Sequence, residues 1–94
     1  MTLLSDSEVE QRLTGAPEWR RGEGPSIERE LKLADFAAAI AFVDRVAAAA
    51  EAAGHHPDIL VHGWNRVRLT LSTHSAGGLT GADFELAAQI DRLL

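Results

Sequence analysis

The sequence lacks cysteine and tyrosine, and its only aromatic residues are two tryptophans and three phenylalanines among 94 residues. The absence of thiols excludes disulfide frameworks, thiolate nucleophiles and cysteine-ligated zinc sites. Basic runs are also missing, since the longest is the pair Arg20-Arg21 and the formal net charge is -5. Nucleic-acid binding needs a basic footprint that displaces counterions from phosphates, so we predict no nucleic-acid partner.

Long hydrophobic runs are absent as well. The alanine-rich stretch 37–53 is interrupted by Asp44, Arg45 and Glu51, and no apolar run approaches the roughly 20 residues that span a bilayer. The first residues become acidic at Asp6 and contain no apolar signal core. We therefore expect no membrane partner and a cytoplasmic location.

What is present is the composition of a folded globular chain, with 46% hydrophobic and 24% charged residues. The length predicts a single domain covering residues 1–94. Ser5 and Glu8 have the spacing of a capping box, which predicts the start of a helix, and Gly15 with Pro17 predicts its end. A short helix is therefore expected to open the chain.

The longest predicted helix begins after the N-cap Asp35 and ends at Gly54, because Pro57 prevents its continuation. Its apolar residues recur at spacings of four, three, four and three, which predicts one buried stripe. That stripe consists of Phe36, Ile40, Val43, Ala47 and Ala50.

Four short segments are typical of strands, namely 19–21, 27–33, 59–61 and 67–73. Apolar and charged residues alternate in the second segment, although Arg29 interrupts its apolar row. Thr80 then caps a last helix that extends through Leu94. The resulting order α-β-β-α-β-β-α predicts an α+β fold, a four-stranded antiparallel sheet with three helices packed on one face.

Three histidines lie at the ends of these elements, where side chains can converge on a ligand. His55 and His56 follow the long helix, His74 ends the last strand, and Asp83 lies in the first turn of the last helix. Imidazole titrates near neutral pH, so one histidine can donate a proton while another accepts one. Pro57 restricts His56 to an extended conformation, which directs the two adjacent rings apart.

These residues also allow other interpretations. The histidine pair could be exposed turn residues, and the three histidines with Asp83 are permissible zinc ligands. Adjacent histidines seldom reach one ion, however, and no His-Glu-x-x-His pattern is present. Asp83 could complete a capping box with Thr80, a role compatible with catalysis. His62 is most simply a surface strand residue, and Glu51 could be a solvated helix residue.

The spacing of the candidate residues is specific. It runs Glu51, three residues, His55-His56-Pro57, six residues, Trp64, nine residues, His74, eight residues and Asp83. This resembles the signature of the pterin-4a-carbinolamine dehydratases, and the similarity extends over 27–31, 36–46 and 71–80. The sequence departs from some animal members at Gly54, where they carry an acidic residue, and at Ala82, where they carry a basic one.

The resemblance implies dehydration of a 4a-hydroxy-tetrahydropterin to quinonoid dihydropterin and water, in tetrahydropterin recycling. It implies that His55 and His74 share the acid and base roles, that His56 holds the pterin, and that Asp83 orients or charge-balances the site. It also implies a substrate-binding set of Glu51, Pro57, Trp64, Thr73, Ser75 and Ala76. Trp64 could equally be a packing or hairpin residue that shapes the pocket rim.

Further expectations follow from the same resemblance. The pterin is the substrate, and we expect no metal and no other cofactor. A homodimer or homotetramer is expected, with an aromatic amino-acid hydroxylase system as a possible source of the substrate. The rival interpretation is a protein-binding relative of the same fold, since such relatives serve as a dimerisation cofactor for a transcription factor or as assembly chaperones.

Overall fold

A computed structural model describes residues 2–94 and contains three α-helices and four strands. In chain order they are α1 (Asp6–Thr14), β1 (Arg20–Arg21), β2 (Ile27–Lys32), α2 (Phe36–Ala53), β3 (Asp58–His62), β4 (Arg66–Leu71) and α3 (Gly81–Asp91), with a 3₁₀ turn at His74–Ala76 before α3. The strands form one antiparallel sheet in the order β1-β2-β4-β3. The predicted α+β fold and its element order are confirmed.

The helix boundaries follow the capping residues. The Ser5 side chain accepts a hydrogen bond from the Glu8 backbone N–H, and the Glu8 carboxylate accepts one from the Ser5 backbone N–H. The Asp35 carboxylate accepts from the Ala38 backbone N–H over 2.7 Å and thereby starts α2. Gly54 ends α2 in the left-handed region with φ 62°, where a residue without Cβ meets no steric penalty.

The two faces of the sheet differ in burial. The face covered by the helices carries the buried side chains Ile27, Leu31, Val67, Leu69 and Leu71. Arg29 lies on the same face, where its guanidinium forms an ion pair with Asp91 of α3 at 2.5 Å. Trp19 Nε1–H donates to the same carboxylate over 2.9 Å. Arg29, which interrupts the apolar row of β2, therefore binds the last residue of α3 through an ion pair.

The predicted buried stripe of α2 is wrong for most of its members. The residues that face the core are Ala39, Phe42, Val46 and Ala50. Phe36 is 55% exposed and Ile40 is 36% exposed, while Ala47 is also exposed. The helix is apolar on more than one side, so hydrophobic spacing alone could not select the face that packs on the sheet.

Other boundaries shift by a few residues. β4 ends at Leu71 rather than Thr73, because Thr73 instead forms an isolated bridge with Gly78 that encloses the 3₁₀ turn. α3 ends at Asp91, three residues before the predicted Leu94. Within residues 2–94, no helix has both the length and the apolar character needed to cross a membrane.

Candidate active site

A buried carboxylate organises one end of the sheet. Asp83 is fully buried, and its Oδ2 accepts hydrogen bonds from Thr73 Oγ1 at 2.8 Å and from the Thr80 backbone N–H at 2.9 Å. Its Oδ1 lies 2.6 Å from His55 Nε2. Because a carboxylate only accepts hydrogen bonds, His55 donates through Nε2–H, which leaves Nδ1 as the acceptor in the neutral ring. The Asp83 side chain therefore both caps α3 and holds the His55 ring.

The end of α2 directs His55 towards this carboxylate. The Gly54 backbone N–H donates to the Glu51 carbonyl over 3.2 Å, and the His55 backbone N–H donates to the Ala50 carbonyl over 3.1 Å. These two bonds form a Schellman motif, which reverses the chain at the helix end. The His55 side chain is consequently 14% exposed, although it belongs to a connecting segment.

His74 is presented by a small closed loop. The Thr73 backbone N–H donates to the Gly78 carbonyl over 2.9 Å, and the Gly78 N–H returns a bond to the Thr73 carbonyl over 3.2 Å. Gly77 closes the loop with φ 77°, a conformation that favours glycine. The loop holds Thr73 buried with its side chain on Asp83, while His74 is exposed.

A cavity of about 320 Å³ opens beside this loop. That volume is at the lower end of the range for small-molecule sites. Its lining includes two imidazoles, two carboxylates and three hydroxyls, contributed by His56, His74, Glu23, Asp58, Ser26, Thr70 and Ser72. The cavity therefore combines groups that transfer protons with groups that accept hydrogen bonds.

The three candidate histidines have different surroundings. His56 and His74 both line the cavity, whereas His55 is bound to Asp83. The His56 ring is 64% exposed and its Nε2 contacts the Glu51 carboxylate. The structure thus brings His56 and His74 to one cavity, whereas the ring of the preceding residue His55 is held by Asp83 and is not part of the lining.

The remaining predicted substrate-binding residues divide into two groups. Ser75 and Ala76 lie in the 3₁₀ turn beside His74, and Pro57 connects the histidine pair to β3. Trp64 is 61% exposed in the three-residue turn between β3 and β4, with φ 59°. That turn is at the end of the hairpin opposite Asp58, about 13 Å away along β3. Trp64 therefore does not share the cavity with the histidines of its own chain.

The sequence did not predict seven residues of the lining, namely Glu23, Pro25, Ser26, Asp58, Thr70, Ser72 and Gly77. Glu23 lies in the β1–β2 loop, and Asp58 starts β3 directly after Pro57. Thr70 and Ser72 project to the same side as each other because side chains alternate along a strand. Thr70, Ser72 and His74 are polar residues at every second position of the sequence. This alternation was the available signal, because it places them on one side of the chain that leads into the candidate site.

The open face of the sheet carries an ion network next to the cavity. His62 Nε2–H donates to Glu30 Oε1 over 2.6 Å, and Arg68 lies 3.3 Å from the same oxygen. The hydrogen bond from His62 is the main cause that holds the pKa of the Glu30 carboxyl below its ordinary value of 4.5, with a smaller contribution from Arg68. His62 is accordingly a surface residue of the sheet.

Comparison with known proteins identifies the family. The family model described as pterin 4 alpha carbinolamine dehydratase matches residues 2–93. This chain belongs to that family. A protein of Roseiflexus castenholzii is 55% identical over 92 residues, covering 98% of this chain and 97% of its own. A protein of Nocardia farcinica is 57% identical over 91 residues, covering 97% and 94%. Both are named, provisionally, as pterin-4-alpha-carbinolamine dehydratases.

Two solved structures share the fold of this dehydratase-family chain. A transcriptional coactivator/pterin dehydratase from Brucella melitensis has a TM-score of 0.91 and 33% identity, with 98% of each chain covered. A pterin dehydratase-like protein identified as a RuBisCO assembly factor in the alpha-carboxysome has a TM-score of 0.68 and 32% identity, covering 81% of this chain and 88% of that one. The resemblance stated from the sequence is confirmed at the level of the family.

Proposed function

We propose that this chain dehydrates 4a-hydroxy-tetrahydropterin to quinonoid dihydropterin and water, as part of tetrahydropterin recycling. The observation that carries the proposal is the shared lining of His56 and His74 in one cavity, beside a His55 ring fixed by a buried carboxylate, in a member of this family. A cavity of about 320 Å³ suits a bicyclic ring.

The reaction needs one proton delivered and one removed. The bond between C4a and the hydroxyl oxygen breaks as an imidazolium protonates that oxygen, and water leaves. A neutral imidazole removes the proton from the adjacent ring nitrogen N5, whose electron pair forms the new double bond to C4a. Each positioned acid or base contributes about 10²–10⁴-fold to such a reaction. Two histidines in different protonation states therefore supply the whole proton balance.

The cavity lining favours His56 and His74 as the two groups that contact the ring. The sequence-based assignment instead paired His55 with His74 and gave His56 the role of holding the pterin. In this assignment Asp83 holds and orients His55, which has a supporting role at the site. The Glu51 carboxylate contacts Nε2 of the His56 ring.

Rapid-mixing kinetics test this function. The decay of enzymatically generated 4a-hydroxypterin is followed by absorbance with the wild-type protein and with the single variants His55→Ala, His56→Ala and His74→Ala. His62→Ala is the matched control, because His62 lies in the surface ion network. We expect the wild type to accelerate the decay, His56→Ala and His74→Ala to lose most of that acceleration, and the control to retain it. A wild-type protein without acceleration would refute the proposal.

We also propose that the reaction proceeds without a metal or other cofactor, because imidazoles alone satisfy its proton balance. Elemental analysis of protein purified without a metal-chelating tag tests this point, since stoichiometric zinc whose removal abolishes activity would contradict it. We further propose that the protein works in the cytoplasm on a pterin supplied by an aromatic amino-acid hydroxylase.

The second candidate function is protein binding, and the exposed apolar side of α2 is the observation that favours it. Phe36 and Ile40 are both exposed on this helix, and because they are one turn apart they form a contiguous apolar surface. Relatives described as a coactivator and as an assembly factor share the fold. We propose that this side of α2 joins copies of the chain into a homodimer or homotetramer, which is compatible with dehydration at the cavity.

A further inference from the structure

Within residues 2–94, the carboxylates that line the cavity are not balanced by basic side chains. Glu23 and Asp58 contribute carboxylates to it, and the part of its lining described by the structure contains neither lysine nor arginine. Such a surface repels anionic groups and attracts a ligand edge that donates hydrogen bonds. The lining therefore contains carboxylates that accept hydrogen bonds and have no assigned role. A ligand that matches them presents N–H or O–H donors.

Asp58 is the better placed of the two carboxylates. It is the first residue of β3, where its Cα pairs with that of Thr70 on the central strand β4. Its carboxylate has no hydrogen bond or ion pair within residues 2–94, in contrast to Glu51, which contacts His56. Glu23 belongs instead to a loop next to Gly24, which has φ 65°. A group on a strand is held more exactly in position than one on a loop.

The pyrimidine half of a pterin presents the matching donors. Its 2-amino group and the adjacent ring N3–H form two parallel donors, which a carboxylate can accept as a bidentate, charge-assisted pair. C2 lies diametrically opposite C4a in the same ring. A carboxylate that holds the 2-amino edge and imidazoles that act at C4a must therefore contact opposite ends of one ligand. Asp58, His56 and His74 all line one cavity, so a single ligand can contact all three.

We propose that Asp58 is a specificity-determining residue that binds the 2-amino edge of the pterin, an inference that rests on the proposed function. The carboxylate selects 2-amino-4-oxo rings over 2,4-dioxo rings. In the latter a carbonyl oxygen replaces the 2-amino donor and faces the negative charge of Asp58. A site that leaves a polar partner unmatched in this way discriminates strongly between otherwise similar ligands.

Equilibrium binding of two fluorescent probes tests the proposal. Pterin and lumazine differ by the 2-amino group against a 2-oxo group, and each is titrated against the wild type and Asp58→Asn. The control Asp44→Asn removes the same charge from an exposed position on α2. We expect Asp58→Asn to raise the dissociation constant for pterin about 10- to 100-fold, to lower that for lumazine because the charge that faces its 2-oxo group is removed, and Asp44→Asn to change neither.

The outcomes separate this inference from the proposed function. If the wild type binds pterin and Asp58→Asn weakens both probes equally, or neither, the role of Asp58 is refuted while the function stands. The same holds if Glu23→Gln, rather than Asp58→Asn, abolishes the preference for pterin. If the wild type dehydrates no 4a-hydroxypterin and binds neither probe, the proposed function fails and the role of Asp58 fails with it.

Discussion

Nε2 of His55 lies 2.6 Å from Oδ1 of Asp83, and the other oxygen of that carboxylate accepts hydrogen bonds from Thr73 Oγ1 and the Thr80 backbone N–H. The carboxylate is fully buried, so its charge depends on these partners for stabilisation. It connects the end of α2 with the start of α3 and with the loop that carries His74. One side chain thereby couples stability to the geometry of the candidate site.

Replacement of Asp83 by alanine is expected to lower the free energy of unfolding. The change leaves buried donors without an acceptor, each of which costs about 1–3 kcal/mol. Urea unfolding followed by circular dichroism measures the loss, with Glu85→Ala at an exposed position of α3 as the control. An Asp83→Ala protein as stable as the wild type would show that the carboxylate has no structural role.

Replacement of Thr73 by valine is expected to lower the dehydration rate, because Thr73 positions Asp83 and His55 although it does not itself contact the substrate. Valine keeps the shape and removes the hydroxyl that donates to Asp83, so the carboxylate and the His55 ring lose one restraint. Thr73→Ser retains the hydroxyl and is expected to restore activity. We expect a loss of roughly 10-fold in kcat for valine, with KM nearly unchanged. Equal activities of the valine and serine variants would contradict this role.

The ionisation of Glu30 makes the free energy of unfolding depend on pH in the acidic range. Its pKa is lowered from 4.5 by the hydrogen bond from His62, so the stabilisation is complete above pH 4.5 and is lost as the pH falls through the folded-state value. Glu30→Gln removes this dependence. The difference in unfolding free energy between wild type and variant is expected to be larger at about pH 6 than at about pH 3 in urea titrations. A constant difference would contradict the assignment.

Self-association is expected to depend on the exposed side of α2. The double variant Phe36→Ser, Ile40→Ser removes its two large apolar side chains, which are 55% and 36% exposed. Sedimentation velocity should show the wild type as a dimer or tetramer and the double variant as a smaller species. Leu94→Ser, which changes an exposed leucine near the C-terminus, is the control. An unchanged sedimentation coefficient for the double variant would place the interface elsewhere.

The features that the sequence predicted well are local. The caps at Ser5, Asp35 and Thr80 and the left-handed Gly54 depend on hydrogen bonds within a few residues, so short patterns suffice to find them. The buried side of α2 was missed because its alternative, which contains Phe36, is equally apolar and only packing distinguishes them.

The candidate site was only partly predictable for the same reason. The contact between His55 and Asp83 joins residues 28 positions apart, and the family resemblance rather than any local pattern brought them together. Asp58 gave no signal of its own, because a single carboxylate at a strand start becomes notable only when the fold places it on the cavity lining. Trp64 belongs to the signature, yet its turn is at the far end of the hairpin.

Single-turnover stopped-flow kinetics can establish whether the imidazoles that line the cavity exchange protons with a pterin. The decay of 4a-hydroxypterin is measured with His56→Ala, His74→Ala and the surface control His62→Ala. We expect the rate to fall about 10²–10⁴-fold in the first two variants and to stay at the wild-type value in the third. Wild-type rates in both His56→Ala and His74→Ala would contradict this expectation.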